Sequence, residues 1–193
     1  MKRAVAACIP FLVFVQFATG AATSGDKGLP DMGPAPNFSF FTATGEQVHL
    51  ESLRSHVVVV SFFYTWCPDI CPLHTDKMSL VRDQLGDAFG SEVTFVSITF
   101  DPVRDTPEVL FDYADAFNAN VDGWFFLTGN PDEIQQVAAQ YGLVTVPGQN
   151  GFIDHNLITT IVDQSGRMRV QYAGYKFDPM HMYADLMMLI EHP

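Results

Sequence analysis

The stretch that most constrains this chain is the run Val57-Val58-Val59-Val60-Ser61-Phe62-Phe63-Tyr64, which leads directly into Thr65-Trp66-Cys67-Pro68-Asp69-Ile70-Cys71-Pro72. A β-branched run with no polar alternation reads as a central strand buried on both faces, as in parallel sheets covered by helices. After the cysteines, His74 to Phe89 carries apolar residues at Met78, Val81, Leu85 and Phe89, the spacing of a helix that closes near Gly90. Strand, cysteine loop and helix in succession point to an α/β layer fold.

The neighbouring segments extend that plan. Phe38-Ser39-Phe40 and Gln47-Val48-His49-Leu50 flank a turn at Thr44-Gly45-Glu46 and predict a β-hairpin. Val93 to Phe100 is a second buried strand, and Trp124-Phe125-Phe126-Leu127 a short third one. Thr106-Pro107 and Asn130-Pro131 each place a capping side chain before a proline at the first helical position. The first opens a helix to about Phe117, and the second, with Glu133 three residues after the cap, one that Gly142 closes. Leu157–Val162 and Met168–Tyr172 form an antiparallel pair around Asp163-Gln164-Ser165-Gly166. A last helix opens at Asp178-Pro179, with Tyr183, Leu186, Met187 and Ile190 at core spacing. The order predicts a thioredoxin-like α/β domain: a mixed central sheet flanked by helices, with an added N-terminal β-hairpin.

Residues 1–22 stand apart. Lys2 and Arg3 precede an apolar run from Ala4 to Ala18 and the small residues Thr19-Gly20-Ala21-Ala22, the plan of an export signal. The run approaches the ~20 residues that cross a bilayer, so an uncleaved anchor through residues 4–20 is the alternative to cleavage. Residues 23–36, rich in glycine and proline, read as a linker, and residues 37–193 as the domain. The expected location is the periplasm, free or held at the inner membrane. A net charge of −12 argues against nucleic acid as a partner.

Export bears on the cysteines. With the leader removed, Cys67 and Cys71 are the only cysteines in the chain, and outside the cytosol a thiol pair oxidises unless a reductant or a metal holds it. At a helix start, backbone N–H groups and the helix dipole favour thiolate over thiol. Thiolates serve both as ligands for Cu(I) and as nucleophiles in thiol–disulfide exchange. A stabilising disulfide, a redox catalyst and a metal site are all open at this point. A disulfide across so short a loop would restrict the unfolded chain little. The familiar redox spacing is Cys-x-x-Cys, and the extra residue here turns the second sulfur by about 100° around a helix, which favours metal capture.

His155, in Asp154-His155-Asn156 before the Leu157 strand, sharpens the choice. In thioredoxin-like folds the entry to that strand lies beside the cysteine loop, where redox members carry a cis-proline. No proline occurs from Gly148 to Val162. Two sulfurs and one imidazole suit trigonal Cu(I), or Cu(II) with a further ligand, whereas structural zinc takes four protein ligands. Asp154 is a candidate to orient His155, and Asp101, following a buried strand at the sheet end where ligands gather, is a second candidate for a supporting role. Asp101, Arg104 and Asp105 together read first as shapers of that loop through local hydrogen bonds and ion pairs. His74 reads as a surface residue facing away from the loop, Trp66 as a shield or partner contact, and Met180, Met182 and Met188 as core packing or chance ahead of exposed copper-binding thioethers.

Three separated motifs now carry a resemblance. Tyr64-Thr65-x-Cys67-Pro68-Asp69-Ile70-Cys71-Pro72, Phe100-Asp101-Pro102-x-Arg104-Asp105-Thr106-Pro107 and Asp154-His155 resemble the Sco (SCO1/SenC) family, and the match runs from about Phe38 to Ile190. The resemblance implies an exported or membrane-anchored thioredoxin-fold protein that binds copper through Cys67, Cys71 and His155. It also implies a role in assembling the binuclear copper centre of cytochrome c oxidase. Asn156, where the family commonly has a small hydroxyl residue, and Met168-Arg169-Val170 depart from the pattern. The expected function is copper delivery to oxidase subunit II or another cuproprotein, with other copper chaperones or a thiol reductase as further partners. No bond in a small substrate is broken, so a carrier rather than an enzyme is expected. The alternatives are a thiol–disulfide oxidoreductase acting through Cys67 and Cys71, and a peroxide-reducing enzyme on the same fold.

Overall fold

The computed structural model describes residues 28–192, so the candidate export signal lies outside the described residues. Strands β1 (Ser39–Thr42) and β2 (Gln47–His49) form the expected N-terminal hairpin. Strand β3 (Val57–Phe63), helix α1 (Ile70–Leu85), strand β4 (Val93–Thr99), helix α2 (Pro107–Ala116) and strand β5 (Trp124–Thr128) follow. Helix α3 (Pro131–Gln140), strands β6 (Thr145–Pro147), β7 (Ile153–His155), β8 (Ile158–Val162) and β9 (Met168–Ala173), and helix α4 (Pro179–Glu191) complete the order.

Seven strands form one mixed sheet in the order β2-β1-β5-β4-β3-β8-β9. The centre is parallel, with β3 beside β4 from Val57↔Val93 to Phe63↔Thr99 and β4 beside β5. β8 runs antiparallel to β3. Every residue of β3 and β4 is buried, because alternate side chains enter two different cores. Val57, Val59 and Phe63 pack with Met78, Val81 and Leu85 of α1, with α2, and with Met182, Leu186 and Leu189 of α4. Val58, Val60 and Phe62 pack on the opposite face with Ile134 and Ala138 of α3 and with Phe38 and Phe40. The continuous apolar run thus has a direct physical use, since a strand between two helical layers has no solvent side.

The three capped helices begin as their sequences indicate. The Thr106 side chain accepts from the Val109 amide, Asn130 accepts from the amides of Asp132 and Glu133, and Asp178 accepts from Met180. Three details differ from the sequence reading. Helix α4 turns Met182, Leu186 and Leu189 into the core and leaves Tyr183, Met187 and Ile190, expected at core spacing, half-buried against it. His74 is also buried, with Nε2 2.7 Å from the Thr159 hydroxyl and its ring against Phe177. It shares the α1 stripe of Cys71, Met78 and Val81, and burial pulls its pKa down to about 4. The second half of the glycine- and proline-rich stretch lies along the start of β9. Met32 N donates to Met168 O at 2.9 Å, Met168 N donates to Gly33 O at 2.9 Å, and the Arg169 guanidinium donates to the carbonyls of Leu29 and Pro30. A β9 edge with unpaired amides recruits this segment instead of leaving it a free linker. Among the described residues no helix is long and apolar enough to cross a membrane.

Parallel pairing of β3 and β4 brings their C-terminal ends to one edge of the sheet. The segments that leave there, 64–69 and 100–106, lie side by side, joined by a Phe100 N–H···O=C Phe63 bond of 2.9 Å.

Candidate metal centre

Cys67 Sγ, Cys71 Sγ and one nitrogen of His155 all lie within 4.8 Å of one another. Both cysteines are free thiols and buried. The structure therefore brings the three candidate ligands together.

The cysteine side is built from the start of α1. Asp69 supplies no side-chain cap; instead Cys67 Sγ accepts from the Cys71 amide at 3.4 Å. A sulfur at a helix N-terminus satisfies a donor that has no partner within the helix and gains the positive end of the dipole. Pro72, in the first turn, sacrifices no helical hydrogen bond. The two thiols then separate in acidity. The hydrogen bond from the Cys71 thiol is the largest influence on Cys67, and with amide donors from Asp69, Cys71 and Ile70 it lowers Cys67 to about 5 against the opposing effect of burial. Cys71 moves the other way, raised by that same bond and by its own burial. The apo pair thus holds one thiolate and one thiol sharing a proton. Cys67 faces an open cleft of about 510 Å³ lined by Tyr64, Asp69, Ile70, Phe152, Ile153 and His155, among others.

The histidine side comes from β7, which pairs with β6 in a two-stranded ribbon separate from the main sheet. A 3₁₀ turn, Gln149–Gly151, caps the ribbon, with Asn150 at φ 55°, a conformation asparagine tolerates. His155 Nδ1 lies 2.9 Å from the Ile153 carbonyl, which fixes the proton on Nδ1 and leaves the Nε2 lone pair toward the sulfurs. Nε2 is 3.7 Å from Cys71 Sγ. A three-coordinate ion with bonds of ~2.3 Å to sulfur and ~2.0 Å to nitrogen, spread at about 120°, needs roughly 3.7 Å between them. The donor set fits a soft cation without rearrangement of that pair.

Tyr64 and Phe100 cradle the imidazole, with ring centroids 5.5 and 4.9 Å from it. The Tyr64 hydroxyl also accepts from Ile153 N at 3.3 Å and donates to Ile153 O at 3.4 Å. The sequence reading assigned neither aromatic a role. The signal that exposes them is register: each follows the last residue of a paired strand, Phe63 and Thr99. Asp105, fully buried, accepts from the Thr65 amide at 3.1 Å, from its hydroxyl at 2.5 Å, and from the Thr99 hydroxyl. It fastens the cysteine loop from beneath, and burial raises its pKa.

The ring nitrogen that Asp154 is a candidate to hold, Nδ1, lies 2.9 Å from Ile153 O, and the Asp154 side chain is exposed. Asp101 binds Arg104. Trp66 is exposed and lies against Phe152.

Comparison with known proteins decides the relationship. Residues 30–191 match the family model described as SCO1/SenC. The chain belongs to the SCO1/SenC family. A SCO2-like protein of Rickettsia typhi is 34% identical over 136 residues, 67% of this chain and 65% of that protein. The chain spans about half the length of several other curated relatives. Among solved structures, Bradyrhizobium japonicum ScoI with copper bound is similar at 29% identity with a TM-score of 0.69, covering 81% of this chain and 99% of that one. Arabidopsis thaliana ScoI with copper bound is similar at 26% identity with a TM-score of 0.71, covering 81% and 98%. The family read from the three motifs and the thioredoxin-like α/β class are both borne out.

Proposed function

We propose that this protein is a copper metallochaperone: Cys67, Cys71 and His155 hold one copper ion, which passes to a cuproprotein, the binuclear copper site of cytochrome c oxidase subunit II being the expected client. The observation that carries the reading is the convergence of two sulfurs and an imidazole nitrogen within 4.8 Å at the end of the parallel strands. The two copper-bound relatives support it. Copper here is cargo. Cu(I) is matched by soft sulfur ligands, and the imidazole completes a trigonal set or joins a further ligand around Cu(II). Transfer proceeds by ligand exchange, with each incoming client thiolate displacing one protein ligand so that the ion stays coordinated. The cleft beside Cys67 and His155 supplies the approach. The family membership and the apolar leader support an exported protein working in the periplasm, free or tethered to the inner membrane.

The unequal thiols favour a second activity at the same atoms, reduction of the client's cysteines before loading. Cys67 thiolate attacks a client disulfide, expelling one client thiolate, and Cys71 then attacks the mixed disulfide after losing its proton. The client leaves as a dithiol and the Cys67–Cys71 disulfide remains, to be reduced by a dithiol reductase that supplies two electrons.

Anaerobic titration of the reduced protein with Cu(I) tests the first reading. One tight equivalent per chain is expected, with sulfur and nitrogen ligation by X-ray absorption. His155→Ala is expected to weaken binding by more than the ~100-fold that loss of an outer-shell partner can cost. Unchanged affinity in that variant overturns the three-ligand model. Retained exchange with a dithiol client, without tight copper binding in the wild type, leaves the reductase reading in its place.

A further inference from the structure

The two ligand-bearing segments meet at a residue that belongs to neither. Arg104 sits in the β4–α2 connection, which is locked internally. Asp101 N donates to Thr99 Oγ1 at 3.0 Å, and Arg104 N and Asp105 N both donate to Asp101 O, at 3.1 and 2.9 Å. Thr106 then caps α2. The connection is therefore a fixed platform between a buried strand and a helix.

From this platform the Arg104 side chain makes contacts in three directions. Its Nε donates to the Asp101 carboxylate, which fixes the plane of the guanidinium. Nη1 donates to the Gly151 carbonyl at 2.7 Å, at the head of the ribbon that carries His155. The guanidinium carbon lies 5.0 Å from the Trp66 ring centroid and 5.8 Å from that of Tyr64, one residue and three residues before Cys67. These are the distances of cation–π contacts, and a planar fork that also stacks is particular to arginine. The neighbouring Asp105 grips Thr65 of the same cysteine loop.

We propose that Arg104 is a positioning residue for the metal centre: its guanidinium, oriented by Asp101, clamps the head of the His155 ribbon to the cysteine loop and thereby sets the gap between the imidazole and the sulfurs. The proposal rests on the reading of Cys67, Cys71 and His155 as copper ligands. It also assigns Asp101 a part, acting through Arg104 rather than on a ligand. The ribbon needs such a clamp because it shares no strand pairing with the main sheet, and a two-stranded hairpin is at best marginally stable alone. Without Arg104 the two sulfurs stay in place, and His155 is left on a ribbon held at its head by the Tyr64 hydroxyl and ring contacts.

The test compares the full chain carrying Arg104→Ala, Arg104→Lys, His155→Ala, and the double variant Arg104→Ala/His155→Ala. Cu(I) affinity is measured by chelator competition and nitrogen ligation by electron paramagnetic resonance of the Cu(II) form. Arg104→Ala is expected to lose about 10–100-fold in Cu(I) affinity and to lose histidine nitrogen hyperfine structure, with two-sulfur ligation intact. In the His155→Ala background the same change should cost nothing further, since its effect runs through the ring. Arg104→Lys keeps the charge but not the fork or the stacking, and is expected to resemble Arg104→Ala. Full recovery by lysine would show that charge alone matters and would overturn the clamp. Equal losses from Arg104→Ala with and without His155 would overturn it too. A readout without metal separates this proposal from the copper reading: in the reduced apo-protein, Arg104→Ala should speed amide exchange at Ile153 and His155 roughly tenfold, as loss of a charge-assisted hydrogen bond allows, and leave the β3 amides unchanged. Unchanged exchange at Ile153 and His155 overturns the clamp whatever copper does, whereas a wild type without tight copper overturns the site reading alone.

Discussion

The two halves of the candidate metal centre stand on different ground. The cysteines grow out of the most buried part of the molecule: β3 is paired on both sides, and Cys71, 1% exposed, belongs to the same hydrophobic cluster as Val59, Met78 and Leu186. His155 rides on a ribbon of two three-residue strands, where Val146 and Phe152 are exposed. Side-chain contacts from Tyr64 and Arg104 hold it to the cysteine loop. On the proposed reading, a site that keeps a metal and then surrenders it benefits from this division. On that reading the sulfurs would provide a constant grip, and the imidazole would be the ligand able to leave first at small cost to the fold.

Amide exchange gives the largest contrast with which to break that picture. Core strands exchange through global unfolding and weakly anchored elements through local opening. With global stability in the usual range of about 5–15 kcal/mol, the amides of Val59 and Val96 should exchange at least ~10³-fold more slowly than those of Ile153 and His155. Equal protection would mean that the ribbon is part of the core in all but hydrogen bonding.

Thiol chemistry sharpens the contrast within the cysteine half. With Cys67 lowered to about 5 and Cys71 raised, iodoacetamide should modify the reduced apo-protein once, at Cys67. The thiolate-dependent rate should rise through about pH 5 and level off well below pH 8.5, near which free cysteine titrates. Because the Cys71 hydrogen bond is the largest cause, Cys71→Ala should move that midpoint upward. The same shift sets a stability window. The folded Cys67 sits below its unfolded value, so its contribution is complete above the unfolded pKa and is lost as pH falls toward 5. Peptide mapping that finds Cys71 labelled first would reverse the assignment of the two sulfurs.

A pair of substitutions separates stability from ligation. Leu186→Ala opens a cavity in the core beneath α1 and α4 and should lower unfolding free energy by about 2–5 kcal/mol, with copper stoichiometry unchanged. Tyr64→Phe removes one hydroxyl that serves Ile153 twice and should lower it by only about 1 kcal/mol. The small change should nonetheless weaken the histidine contribution to copper binding more than the large one does. The reverse ranking in chelator competition would place His155 on the core after all.

The same division explains what could be read from the chain. The cysteine half was legible because its signals are local and strong: an unbroken apolar strand, cysteines at a helix start, and proline after Thr106, Asn130 and Asp178. His155 was singled out by its position before β8. The ribbon that carries it was not recognised, since Thr145-Val146-Pro147 is short, exposed and ends in proline, with none of the alternation that marks a strand. His74 was misplaced for another reason. Carried one turn back from Met78, the stripe of Met78, Val81 and Leu85 includes His74 and Cys71, and the cover of His74 comes from Thr159 and Phe177, 85 residues and more away. Such long-range cover leaves no trace in a local window.

Asp154→Asn should have the smallest effect and decides what orients the imidazole. A carboxylate next to a ligand histidine in sequence invites the inference that it holds the ring, and loss of such a partner costs about 10–100-fold in metal affinity. Here the side chains of adjacent strand residues point to opposite faces, Asp154 is exposed, and Nδ1 meets the Ile153 carbonyl at 2.9 Å. A backbone carbonyl two residues away holds the ring as well as a carboxylate would, and no side-chain substitution can remove it. Asp154→Asn should therefore leave unfolding free energy within about 0.5 kcal/mol and copper affinity within about twofold, well short of the outer-shell range. A loss approaching tenfold would restore Asp154 as the orienting group, and would require the ribbon to rearrange when copper binds. In that case the histidine half would be the moving part in loading as well as in release.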